Sequence, residues 1–68
     1  MITIYEDIFL SFKVKWDQDS RFLVFQDYID GSSIEVDSFE VETSAPMMFS
    51  DASLKAKEYC DMIRGELA

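Results

Sequence analysis

Residues 10–42, LSFKVKWDQDSRFLVFQDYIDGSSIEVDSFEVE, indicate the architecture because they contain three stretches with strand patterning separated by polar turns. In residues 10–16 apolar and polar side chains alternate, which is typical of a strand with one buried face. Residues 21–29 are apolar on both parities, which favours a central strand or cover on both faces. The Asp-Gly pair at 30–31 predicts a hairpin leading into a third strand over 33–42.

The last of these strands changes its apolar parity halfway along. Ile34 and Val36 share one parity, whereas Phe39 and Val41 share the other. One extra residue at 37–38, a β-bulge, would return all four to a common apolar face. The opposite face would then carry an unbroken row of four carboxylates, those of Glu35, Asp37, Glu40 and Glu42. We expect this row to bind the partner, extended from the preceding strand end by Asp27 and Asp30.

The segments on either side complete the predicted architecture. Residues 2–5 are β-prone, and Glu6-Asp7 fits either a turn between two strands or a bulge within one, so the sheet has three or four strands. After a connector at 43–49, a stripe at helical spacing predicts a helix over about 50–65. The stripe consists of Ala52, Ala56, Tyr59, Cys60, Ile63 and Leu67.

Capping signals set the expected ends of this helix. Ser50 is the expected N-cap, Asp51 falls in the first turn, and Gly65 is the expected stop. A start one turn earlier, near 44–46, stays open. The predicted fold is therefore α+β: an antiparallel meander of three or four strands with one C-terminal helix on one face, forming a single domain over residues 1–68.

Charge and composition limit the classes of partner that the protein can bind. The 68 residues include 14 Asp or Glu against 6 Lys or Arg, a formal net charge of −8, and 49% are hydrophobic. Seven carboxylates lie in residues 22–54, which contain no Lys or Arg. The apolar content supports a packed fold. The charge argues against direct contact with nucleic acid or an anionic membrane, because phosphate contacts need Lys or Arg. We expect a basic protein surface as partner.

Cysteine usage and the N-terminus favour a cytoplasmic setting. One Cys cannot close a disulfide within the chain, and no His is present to help hold zinc. Glu6 and Asp7 interrupt any apolar leader, so we expect no signal peptide, and Met1 suggests the whole gene product. No apolar run approaches the roughly 20 residues of a membrane span.

The sequence lacks the residues that catalytic and metal sites usually require. Cys60 has no His as base and is expected to be a small core residue. Acid–base catalysis by a pair of carboxylates needs a cleft that raises the pKa of one of them, and a chain this short has few residues with which to form a cleft. The segment 17–20 opens like a calcium loop, but Arg21 and Phe22 stand where a ligand and a Gly belong. We predict no enzymatic activity, no cofactor and no metal.

Aromatic side chains are more numerous than one helix-covered sheet face can bury. Tyr5, Phe22 or Phe25, and Tyr28 are the expected excess. One interpretation is a loosely covered second face or a homodimer interface, and the other is a binding surface with aromatic anchors beside carboxylates.

A chain of this size, with a small antiparallel sheet, one helix and carboxylates concentrated in residues 27–51, resembles the small phage-encoded anti-CRISPR proteins and other acidic DNA mimics. The resemblance lies in size, charge and architecture over the whole chain. It implies an inhibitor that occupies a basic nucleic-acid site on a host protein, such as the site where a CRISPR effector complex reads target DNA in the host cytoplasm.

Two other functions are compatible with the same sequence. One is an accessory or regulatory module that pairs through its apolar sheet face, with itself as a homodimer or with a larger assembly. The other is an immunity or antitoxin-like protein that neutralises a basic nuclease through the same acidic side chains.

Overall fold

A computed structural model of the chain describes residues 1–67, and for Leu67 the backbone alone. Four strands form one antiparallel sheet in the order β1-β2-β3-β4. Their bounds are β1 Ile2–Asp7, β2 Phe12–Gln18, β3 Arg21–Asp27 and β4 Ser33–Glu40, followed by helix α1, Met47–Leu67. The predicted α+β meander with a C-terminal helix is therefore confirmed. Within residues 1–67 no helix is both long and apolar enough to cross a membrane.

The N-terminal segment forms two strands, which decides the alternative left open by the sequence. Residues 8–11 make the turn between β1 and β2, and Ser11 adopts a φ of 58° there. A register shift between Thr3 and Tyr5 leaves Ile4 as an extra residue in β1. β1 is one edge of the sheet, and the carbonyl of Ile4 accepts a hydrogen bond from Ser53 Oγ of α1 at 3.5 Å.

The core lies between α1 and the face of the sheet toward which Val14 and Val24 point. Both side chains are fully buried, as is Phe22, which stacks on Phe39 with ring centroids 5.6 Å apart. Burying a side chain such as Phe22 contributes about 1.5–3 kcal/mol. The helical stripe predicted from the sequence supplies the other side of the core through Ala52, Ala56 and Cys60, each fully buried, with Tyr59 half-buried. The side chain of Leu67 lies outside the described residues.

β3 is a central strand, in agreement with its apolar pattern on both parities. Leu23 and Phe25 point to the opposite side of the sheet from α1, which we call the open face. Lys15 covers them in part: its Nζ lies 5.1 Å from the centre of the Phe25 ring. An aliphatic stem with a charged end can shield apolar surface while staying hydrated.

Helix α1 is longer than predicted at both ends. It begins at Met47, so Ser50 is not the N-cap; the earlier start is the correct alternative. The first turn contains no acidic residue, and Asp51 instead accepts a hydrogen bond from Thr43 Oγ1 at 2.7 Å. Gly65 does not end the helix, since it continues to Leu67.

A buried carboxylate ties the end of α1 to the β1–β2 turn. Asp7 is 4% exposed, and its Oδ1 accepts a hydrogen bond from the Leu10 amide at 3.0 Å. Its Oδ2 forms an ion pair with the Arg64 guanidinium. The helix is thereby fixed to the sheet at its C-terminal end as well as through the core.

Candidate functional site

The predicted bulge in β4 is present, but one residue earlier than expected. Val24 lies opposite Asp37 and Phe25 lies opposite Glu35, so Val36 is the extra residue. Residues directly opposite in an antiparallel pair point to the same face. Asp37 therefore points to the helix side with Val24, whereas Glu35 points to the open face with Phe25.

A second observation places Asp37 beside α1. Burial raises the pKa of Tyr59 above its ordinary value, and the neighbouring carboxylate of Asp37 raises it further. Glu42 also departs from the predicted row, since it follows the last residue of β4, Glu40. The prediction of four carboxylates in one row on one face is therefore wrong: only Glu35 and Glu40 of the four stand on the open face.

Basic side chains share this open face. Lys13 and Lys15 on β2 and Arg21 on β3 all point away from α1, and Arg21 lies directly opposite Glu40. Lys13 Nζ is 3.2 Å from Asp27 Oδ2. Charges that are segregated along the sequence are thus interleaved in space, because the pairing of β2 with β3 and of β3 with β4 brings Lys13 beside Asp27 and Arg21 beside Glu40.

The two residues expected to extend the row are held in local contacts. Asp27 accepts a hydrogen bond from Ser33 Oγ at 2.5 Å, and this bond together with Lys13 holds the pKa of its carboxyl below the usual range. Asp30 lies in the β3–β4 turn, where its Oδ1 accepts hydrogen bonds from the Ser32 hydroxyl and amide. These contacts lower the pKa of Asp30 as well.

Carboxylates do converge at another place, a groove of about 460 Å³ between the end of β4 and α1. We call this the acidic groove. Glu42 lines it from the sheet side together with the backbone of Glu40, whose side chain points to the open face, and Asp51 and Glu58 line it from the helix. Its remaining lining residues are Val41, Thr43, Leu54 and Lys55.

Lys55 is the cation that lines the acidic groove, and its amine is already engaged. The Nζ donates a hydrogen bond to the Glu40 carbonyl at 3.2 Å and lies 5.6 Å from the centre of the Phe39 ring. Asp51, four residues before Lys55, is hydrogen-bonded to Thr43 rather than paired with this amine. Three carboxylates, those of Glu42, Asp51 and Glu58, beside one engaged cation leave the groove negative, so it attracts cationic groups.

Two of these groove residues were not among the predicted site residues. The sequence pattern places Asp51 in the first turn of the expected helix, and Glu58 lies outside the stretch 22–54 that lacks Lys and Arg. Their seven-residue spacing places them on one face of a helix, which is the signal in the sequence that could have identified them. What the sequence lacked was the position of the end of β4 opposite that helix face.

The thiol of Cys60 is fully buried, as predicted for a core residue. Burial is the main cause that raises the pKa of this thiol, and the charge of Asp7 raises it further. The neutral thiol is therefore the favoured form, whereas the thiolate is the nucleophile.

The chain was compared with protein-family models, curated proteins and solved structures, and none of them matches it. Its function is therefore inferred from its own residues.

Proposed function

We propose that the protein is a non-enzymatic inhibitor that binds a basic nucleic-acid-binding site on another protein, with its carboxylates in place of nucleic-acid phosphates. The acidic groove is the observation that carries this proposal. It joins Glu42, one of the predicted binding residues, with Asp51 and Glu58 beside Lys55, whose amine is already hydrogen-bonded to the Glu40 carbonyl. Opposite charge on the partner would speed association and make it sensitive to salt.

The open face contributes less to this proposal than the sequence suggested. Asp27 is compensated by Lys13, and Arg21 lies opposite Glu40. Asp30 lies in the β3–β4 turn, at the other end of the sheet from the groove, and is left out of the groove surface. Glu35 and Asp37 remain candidate contacts along β4, since both are exposed. We therefore centre the binding surface on the groove and treat these side chains as its periphery.

In the narrower form of the proposal, the target is the channel in which a CRISPR effector complex reads DNA, as the resemblance to anti-CRISPR proteins implies. A basic nuclease is the other target of the same chemistry, as for an immunity protein. An electrophoretic mobility assay of effector–DNA binding and a nuclease assay, each with added protein, distinguish the two targets.

The proposal is tested by charge reversal in the groove against a matched reversal elsewhere. We expect Glu42→Lys with Glu58→Lys to abolish capture of nucleic-acid-binding proteins, while Glu6→Lys with Glu66→Lys, away from the groove, leaves it largely intact. Both double variants change the net charge equally, and all four positions are exposed. Captured proteins should elute with salt and be displaced by added duplex DNA.

Equal loss of capture in the two double variants would show that overall charge, rather than the groove, drives binding. A captured protein that binds DNA and this chain at the same time would contradict mimicry.

A second candidate function is a module that assembles through β4. This strand is an edge of the sheet, and Ile34 and Val36 are 53% and 44% exposed. Edge strands offer unpaired backbone groups to another strand. The homodimer expected to bury Phe22 does not fit, because Phe22 is already fully buried in the core. Sedimentation of the wild type and Val36→Lys tests this candidate: a dimer that the variant abolishes would support it.

A further inference from the structure

Two turns with exposed apolar side chains meet at one end of the sheet. The β1–β2 turn carries Ile8 and Phe9, and the β3–β4 turn carries Tyr28 and Ile29. In a four-stranded meander the first and third turns lie at the same end, and the Asp27 amide donates to the Ser11 carbonyl at 2.8 Å between them. We call these four side chains the apical surface. The acidic groove lies at the other end of the sheet, beyond the last residue of β4.

The four apical side chains are largely exposed to solvent, although large apolar side chains usually favour burial. Ile8 is 83% exposed, Phe9 81%, Tyr28 47% and Ile29 109%. Single exposed apolar residues are ordinary on protein surfaces, but a group of four at one end of a small domain indicates an interaction surface.

Internal contacts hold the first turn in this exposed arrangement. Asp7 binds the Leu10 amide and the Arg64 guanidinium, so a buried ion pair closes the turn. The same guanidinium lies 5.8 Å from the centre of the Phe9 ring, which orients the ring without burying it. An aromatic side chain fixed before binding loses less conformational entropy when a partner covers it.

The second turn is held by its own hydrogen bonds. The Tyr28 amide donates to the Ser32 carbonyl at 2.9 Å, and the Gly31 amide donates to the Tyr28 carbonyl at 3.0 Å. Gly31 has a φ of 90°, a conformation that a side chain disfavours, and Asp30 binds Ser32. Tyr28 and Ile29 are therefore displayed from a defined turn.

The charges around the apical surface decide which partner fits. Lys13 and Arg64, the cations that contact this end, are engaged by Asp27 and Asp7. Among residues 1–67, the exposed carboxylates of Glu6, Asp30 and Glu66 at this end form no ion pair. An acidic rim repels a second copy of this chain and an anionic membrane, and attracts a cationic rim.

We propose that the apical surface docks against an apolar surface flanked by Lys and Arg on a partner protein, such as the apolar face of a basic amphipathic helix. Phe9 and Ile29 are the anchors, and the contact is separate from the acidic groove. It does not depend on nucleic-acid mimicry, because apolar anchors have no counterpart in a phosphate backbone.

The test uses NMR of the full chain with defined probes. The first probe is an amphipathic helical peptide of Leu and Lys, the second is the same peptide with Glu in place of Lys, and the third is phosphatidylcholine vesicles. We expect the Leu-Lys peptide to shift the methyl signals of Ile8 and Ile29, and the other two probes to leave them unchanged. Phe9→Ser with Ile29→Ser should weaken this binding at least roughly tenfold.

A matched control removes two exposed apolar side chains elsewhere. Ile2→Ser with Met47→Ser takes away residues that are 58% and 59% exposed, and we expect binding at the apical surface to be retained. Equal weakening in both double variants overturns the proposal. Shifts of the Ile8 and Ile29 signals with the Glu peptide or the vesicles overturn it as well.

Sedimentation tests whether the apical surface instead binds a second copy of this chain. A dimer that Phe9→Ser with Ile29→Ser abolishes would overturn the proposal of a basic partner. The result is independent of the groove, since Glu42→Lys with Glu58→Lys should leave the apical shifts in place. Failure of the groove proposal and failure of the apical proposal are thereby distinguishable.

Discussion

Replacement of Asp7 by Ala should cost an unusually large share of the stability of this domain. The carboxylate loses a hydrogen bond from the Leu10 amide, and a bond to a charged group contributes about 1.5–3 kcal/mol. The ion pair with Arg64 adds about 1 kcal/mol, between the values for exposed and buried pairs, because the Arg64 side chain is 40% exposed while that of Asp7 is 2% exposed. The expected loss is about 3 kcal/mol.

That loss is large against the whole free energy of unfolding. At about 0.05–0.15 kcal/mol per residue, a chain of 68 residues has roughly 3–10 kcal/mol in total. Asp7→Asn should lose about half as much as Asp7→Ala, because the amide oxygen still accepts from Leu10 while the charge is removed. Arg64→Ala should also cost less than Asp7→Ala, since it leaves the turn bond intact.

Urea unfolding, followed by far-UV circular dichroism and by the fluorescence of Trp16, measures these differences by linear extrapolation. Trp16 is half-buried and packs edge-on against Phe49, so its emission reports the core. The exposed pair Lys57–Asp61 is the control, and Lys57→Ala should cost much less than Asp7→Ala. A loss of stability for Asp7→Ala no larger than for Lys57→Ala would contradict this prediction. So would strictly additive effects of Asp7→Ala and Arg64→Ala, since residues in one ion pair should couple.

Two further predictions concern the turns and the open face. Gly31→Ala should lower the free energy of unfolding by about 1 kcal/mol, because the φ of 90° disfavours a side chain, although no atom lies within 4 Å of an added Cβ. Gly65→Ala lies inside α1 and is equally free of contacts, so it should instead raise the free energy of unfolding by about 0.5–1 kcal/mol. Thermal unfolding of both variants checks the opposite signs, and a loss of stability in Gly65→Ala would contradict them. Ser33→Ala should raise the pKa of Asp27 toward its ordinary value, as measured by NMR titration of the carboxyl. Because the pKa of Asp27 is lower in the folded than in the unfolded chain, its stabilising contribution is present above the unfolded pKa and is lost as pH falls through the folded pKa. The wild type should therefore be more stable than Ser33→Ala near neutral pH, and the two should become equally stable in acid.

The helix illustrates how local signals can mislead at an element boundary. Ser50 followed by Asp51 has the composition of a helix start, yet α1 begins at Met47. The backbone of residues 44–46 supplies the acceptors instead, with Met48 bonded to Ser44 and Phe49 to Pro46. Packing of Met48 and Phe49 against the core favours the extra turn, and that packing depends on the sheet.

The bulge in β4 shows the limit of parity arguments. The change of parity between Val36 and Phe39 requires one extra residue, but placing it at 36–37 or at 37–38 restores the apolar face equally well. The position of the bulge decides whether Asp37 lies on the open face with Glu35 or points to α1. The register with β3, in which Val24 faces Asp37, makes that choice.

The types and order of the elements, and most of the core, follow from patterns within the sequence alone. Periods of two and 3.6 residues follow from backbone geometry within each segment, so side chains such as Val14 and Ala56 could be assigned to the interior without knowing their neighbours. Which charged side chains lie next to one another depends on the tertiary structure. The acidic segment lacks bases along the chain, yet strand pairing sets Arg21 opposite Glu40, and the end of β4 meets Asp51 and Glu58 of the helix. Electrostatic interaction depends on distance in space, and register and helix placement fix that distance.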